Sequence, residues 1–146
     1  MSKSNYLQSK VLGYWLKNET ISTQPTQVFL GIMYNASALS DSNVGTSEIS
    51  AANYSATDGG GAVTAGNRPE IVFGSITGTN QIQGPTSDIE YDNTSGSQMV
   101  VSGFGVFTAA TGGELLYYGD LTSSKTIEAG DSIRFEASTS ITITEA

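Results

Sequence analysis

Residues 99–144 alternate short apolar runs with tight turns, the pattern of consecutive strands. Residues 98–108 read as one long strand, in which Gly103 and Gly105 predict a bulge or another backbone pressed close. After a turn at Thr111-Gly112-Gly113, residues 114–120 follow as its hairpin partner. Residues 132–137 turn Ile133 and Phe135 inward and Arg134 and Glu136 outward. Residues 140–144 turn Ile141 and Ile143 inward, with Ser140, Thr142 and Thr144 outward. These last two are expected to lie side by side as a meander-like edge, completing a C-terminal meander over about 98–144.

Upstream, residues 27–34 carry Val28, Leu30, Ile32 and Tyr34 on one face and Phe29 and Met33 on the other, which predicts a central or doubly covered strand. Residues 70–77 read as another strand and 81–83 as a short one before the Gly84-Pro85 break. Between them and the first strand, the Ser-, Ala-, Gly- and Asn-rich region of about 35–69 predicts a long loop or a pair of weak strands. A helical period appears once: Leu7, Val11, Tyr14 and Trp15 recur at i, i+4, i+7 and i+8 over residues 6–17. Asn5 is the expected N-cap, Gln8 its capping-box partner and Asn18 the stop. Gly13 weakens this helix by about 1 kcal/mol relative to alanine, so it is expected to depend on docking. The predicted class is mainly β, a β-sandwich or open barrel with one N-terminal α-helix, in a single domain over 1–146.

Composition then narrows the chemistry. The chain has no histidine and no cysteine, which removes the commonest general base, the usual zinc ligands, a Ser-His-Asp triad and any disulfide. No catalytic residues, metal ligands or cofactors are assigned, and the chain is read as a non-enzyme. A carboxylate-pair glycosidase needs no histidine, but nothing marks two of the fourteen acids as unusual. Asp88, Glu90 and Asp92 would share a face if extended; a solvated strand face accounts for them, and a calcium site is the alternative. Asn-x-Ser/Thr sequons at Asn18, Asn35, Asn53 and Asn93 are expected to be chance products of the composition.

The net charge of −8 and six basic residues exclude a phosphate-covering groove, so no nucleic-acid partner is expected. Charge is divided unevenly. Lys3, Lys10 and Lys17 make the first seventeen residues +3, while three basic and fourteen acidic groups leave the remainder at −11. No apolar run approaches the roughly 18 to 20 residues of a membrane span, and the opening segment lacks the apolar core of a signal peptide. Synthesis and folding in a cytoplasm and no membrane partner are expected.

The opening Met1 to Leu7, the strand Val28 to Tyr34, the run Gly103 to Gly113, Leu115 to Gly119, and the segment from Ser124 through Arg134-Phe135 resemble a family of small tailed-phage virion proteins, often labelled tail-fibre-like. The resemblance implies a non-enzymatic virion component. The role expected first is capsid decoration: a cement protein on the capsid surface that binds major capsid protein and bridges neighbouring capsomers. The alternative is a tail, tail-fibre or adaptor component that binds a receptor or glycan. Contact with a partner is assigned to Lys3, Lys10, Tyr14 and Trp15, the aromatics as anchors and the lysines meeting acidic groups. The competing reading makes Leu7, Val11, Tyr14 and Trp15 cover for the domain's own sheet. Self-association as a dimer or trimer is assigned to Phe104, Val106 and Phe107 and to the final strand with Ile141 and Ile143.

Overall fold

The computed structural model describes residues 1–20, 24–34, 39–40, 44–78, 80–138 and 140–144. Its elements run β1 (Ser2–Lys3), α1 (Asn5–Lys17), β2 (Phe29–Met33), α2 (Val44–Ser47), β3 (Tyr54–Asp58), β4 (Gly61–Ala62), β5 (Gln81–Gly84), β6 (Ile89–Asn93), β7 (Met99–Phe107), β8 (Leu115–Ile127), β9 (Ser132–Phe135) and β10 (Ile141–Thr144). One antiparallel sheet has the order β1-β8-β7-β2, a second β4-β3-β6-β9, and β10 pairs with β5 alone. Period-2 burial explains how they stack: Ile89 and Tyr91 on β6 and Tyr54 and Ala56 on β3 turn inward toward Leu30, Ile32, Val101 and Val106 of the other sheet. Tyr91 donates from its hydroxyl to the Leu30 carbonyl at 2.7 Å, joining the two layers. Edge-to-face ring pairs continue across the core, Tyr54–Tyr91 at 5.0 Å, Tyr91–Phe135 at 6.1 Å and Phe104–Phe135 at 6.2 Å. The fold is therefore mainly β, a sandwich with a helix at its N-terminal end.

Several expectations are corrected. The final two strands are not neighbours: β9 pairs with β6 and β10 with β5, so residues 98–144 form a hairpin followed by two strands that depart to different sheets. Residues 70–77 form no regular strand; within them only isolated bridges occur, Glu70 with Phe29 and Thr77 with Gln81. The 35–69 region is not a structureless loop, since α2, β3 and β4 lie in it; its residues 35–38 and 41–43 fall outside the described set. β8 runs past Asp120 to Ile127, a polar extension held by pairing of Lys125, Thr126 and Ile127 with Val101, Val100 and Met99.

β2 is an end strand of its sheet, yet both faces are covered as expected. Leu30 and Ile32 enter the main core, while Met33 joins Leu39, Phe107 and Tyr118 in a second cluster. Its outer edge is closed by non-strand segments: the Leu30 amide donates to Pro69, Ile71 to Val28, Ile49 to Ile32 and Tyr34 to Ser47, all at 2.8–2.9 Å.

Two buried phenols link this core to pH. Burial lifts the Tyr54 pKa from 10.0 to about 12, and burial, helped by Tyr54 and Glu48 nearby, lifts that of Tyr91 well above its ordinary value. A raised acid pKa means that the folded state holds the proton more tightly. This contribution is complete below pH 10 and declines as pH rises toward 12. Of the seven tyrosines, these two are expected to ionise only as the chain unfolds above pH 10. Tyrosinate absorbance and circular dichroism followed through one alkaline titration check this; ionisation of all seven before any loss of secondary structure would contradict it.

Candidate functional site

α1 is fastened at its start and free along its outer side. Ser4, not Asn5, is the N-cap: its hydroxyl accepts from the Leu7 amide at 3.2 Å and donates to the Leu115 carbonyl at 2.5 Å, while its amide donates to Leu116. Because that hydroxyl also reaches β8, the cap is fixed by the tertiary contact. Gln8 turns back to donate to the Lys3 carbonyl at 2.9 Å. β1 pairs with β8 through Ser2–Tyr118 and Lys3–Tyr117. The helix stops where expected, at Asn18 in the left-handed region with φ 55°.

The expected apolar stripe does not cover the sheet. Within α1 only Gly13 is fully buried, beneath the Glu19 carboxylate; Val11 and Tyr14 are exposed and Trp15 is 76% exposed. Lys10 lies over the Tyr6 ring at 5.7 Å, and Trp15 meets Tyr14 edge-on at 5.3 Å. Tyr6, Leu7, Lys10, Val11 and Tyr14 form one wall of an open groove of about 530 Å³, opposite Pro25, Val28 and Leu116. Lys10 and Tyr14 thus share the groove-facing side of the helix, Trp15 lies about 140° round the axis from Lys10, and Lys3 sits half-buried just before the helix on β1.

Leu12 and Leu16 were missed in the sequence. They are 56% and 77% exposed and stand with Trp15 at i, i+3 and i+4. The signal was present, since apolar residues occur on two sides of this helix while only one side can face the body. Asn5, Gln8 and Ser9 share that outward third of the circumference, so the face carries no charge. Lys10 and Lys17 fall about 100° to 160° away around the axis.

The residues assigned to self-association lie on β7 and β10. Phe104, Val106, Phe107, Ile141 and Ile143 are all buried, and β7 is paired on both edges. Their side chains build the chain's own core, because both faces of β7 beyond Gly103 are covered. Only β10 among these segments keeps an unpaired strand edge.

The acidic strand is resolved by its neighbours. Arg134 on β9 donates to Glu90 at 2.7 Å and approaches Asp88 at 3.8 Å; Asp92 accepts from Ser55 and Ser132, and Asp88 accepts from the Ala137 amide. Among the described residues no group of three or more carboxylates, histidines or cysteines is placed to hold a metal ion. Of the sequons, Asn93 is buried; its amide donates to Ser97 and Ile127 at 2.7 and 2.9 Å, and Asn35 lies outside the described residues. No helix among the described residues is long and apolar enough to cross a membrane.

Trp15→Ala is expected to leave stability within about 0.5 kcal/mol, as for a surface change. A thermal melt checks it, and a loss of several degrees would return the ring to a packing role.

Residues 2–144 match the family model Gp80, described as podophage GP4 fiber I protein gp80. No curated protein matches the chain.

Proposed function

Because the chain belongs to the Gp80 family of podophage GP4 fiber I proteins, we propose that it is a fibre-type structural component of a phage virion that works by attachment and not by catalysis. The observation that carries this reading is the match over residues 2–144, which takes in all three sheets and α1. The fibre description favours a place on the tail or fibre side over the capsid surface, and the capsomer-bridging role has no observation of its own. Absence of histidine and cysteine from the sequence supports a part without acid-base or thiol chemistry.

In this reading the sandwich is a rigid carrier and α1 is the attachment element. Trp15 is the outward apolar anchor, while Tyr14 at the groove and Lys10 on that same side, with Lys3 before them, offer a ring and cationic groups to a virion partner. Repeated copies on one particle multiply a modest contact by avidity. Gold-labelled antibody against the chain, applied to intact virions, is expected to mark the tail or its fibres. Label over the whole head shell would reinstate capsid decoration, and absence from purified virions would remove the virion role.

A further inference from the structure

We propose that the gap between β8 and β9 is a strand-docking groove, which takes an extended, acidic segment of a partner protein as one more strand of the sandwich. The inference goes beyond the attachment reading of α1 and uses none of its residues.

Two strand edges end unpaired at this gap. β1 covers β8 only at Tyr117 and Tyr118, so among the described residues no strand lies beside the outer edge of residues 119–127. β9 pairs with β6, and among the described residues no strand lies on its other side. The ladder fixes which groups are left over. The Asn93 amide donates to the Asp131 carbonyl at 2.8 Å, and opposite residues of an antiparallel pair alternate between bonded and unbonded. Tyr91–Ile133 and Ile89–Phe135 are therefore the bonded pairs, and the N–H and C=O groups of Ser132 and Arg134 point away from β6. Both residues line an open groove of about 550 Å³ between the two edges. Such an edge is a template for an extended backbone.

The side chains select the kind of strand. Ile127 and Phe135 are buried in the main core, and Leu121 and Ile133 pack half-buried against it, so the groove has an apolar floor. An incoming strand that turns every second side chain onto this floor removes apolar surface from water on both sides. The lips are cationic. After Lys17 the chain has only three basic residues, Arg68, Lys125 and Arg134. Arg68 is buried, and the other two, both exposed, stand on the two lips of this groove, Lys125 from β8 and Arg134 from β9. Every exposed cation of the acidic body is thus gathered at one place. Arg134 donates to Glu90 from the β6 side, while Lys125 has no ion pair among the described residues.

The same charges disfavour a second copy of this edge. Pairing β9 with β9 sets the cations of both copies along one seam, whereas a strand with carboxylates between its apolar residues meets opposite charge on both lips. Four residues of β9 offer about 13 Å of ladder, so the contact is short and reversible.

The test titrates the full chain with a short blocked peptide of alternating valine and glutamate and follows amide exchange by NMR. Exchange at Ser132 and Arg134 is expected to slow on binding, while Ile133 and Phe135, already bonded to β6, change little. The same peptide with lysine in place of glutamate is expected to bind about tenfold more weakly. Lys125→Glu should weaken the glutamate peptide by a similar factor with the thermal melt in place. A glutamate peptide that leaves the Ser132 and Arg134 amides unprotected overturns the proposal, as do equal binding of the two peptides and protection confined to another edge such as β10. Protection that grows with chain concentration in the absence of peptide overturns it in favour of a second copy.

Discussion

Replacing Arg68 with alanine is expected to destabilise the fold by about 3 kcal/mol and to lower the melting temperature by roughly 10 °C. Arg68 is only 7% exposed. Its Nε and Nη2 donate to the two carboxylate oxygens of Glu48 at 2.5 and 2.8 Å, and its Nη1 donates to the carbonyls of Ala109 and Gly112 at 2.8 and 2.7 Å. The guanidinium also stacks 3.8 Å over the Phe107 ring. Truncation leaves a partly buried carboxylate and two carbonyls without their donor, and desolvation without compensation dominates the loss. The effect is not confined to one contact. The clamp holds together residues 48–49, 68–71 and 109–112, and the first two of these segments close the outer edge of β2. Lysine cannot reproduce the fork, so Arg68→Lys should recover less than half of the loss. Urea denaturation of the three proteins checks the order wild type, Lys, Ala; a lysine variant as stable as wild type would show that charge alone suffices.

Gly103→Ala is the second large effect, expected to cost about 2 to 3 kcal/mol. A Cβ at Gly103 would stand 2.7 Å from the Gly119 carbonyl and 2.5 Å from Leu39 Cδ1. The carbonyl belongs to the paired backbone of β8, next to the register shift between Val101 and Gly103, so relief requires moving the hairpin itself. Gly105 provides the comparison. There a Cβ meets only the far ends of Met33, Leu115 and Phe107, at 2.6 to 3.0 Å, and side chains can swing where a ladder cannot. Gly105→Ala should therefore cost about 1 kcal/mol. Chemical denaturation of both variants tests the ranking, and a reversed order would mean that the β7–β8 register can slide.

Both predictions concern features with unequal visibility in the sequence. Gly103 and Gly105 stood out as glycines inside a strand, which argues for close backbone approach, and the structure supplies the atoms that approach. Arg68 carried no sign of its role. Its four acceptors come from positions 20 to 44 residues away, and local pattern does not report such distances. The interaction surface divides in the same way. A helix with Trp15 and Tyr14 was legible, but its orientation was not, since periodicity marks an apolar stripe without saying whether a sheet lies beneath it. The cap moved from Asn5 to Ser4 because the Ser4 hydroxyl is claimed by Leu115, far along the chain.

By itself the sequence determined the class of protein: a β-rich chain with one helix, a basic opening segment on an acidic body, no thiol or imidazole chemistry, and strands near residues 29–33, 99–107, 132–135 and 141–144. These follow from alternation and composition, which act over a few residues and are written locally. Only the tertiary structure decided which strands are neighbours, which side of α1 meets solvent, and that the side chains of Phe104, Val106, Phe107, Ile141 and Ile143 are buried. Strand pairing and burial join distant segments, and an alternating strand satisfies its own pattern equally well beside several possible partners.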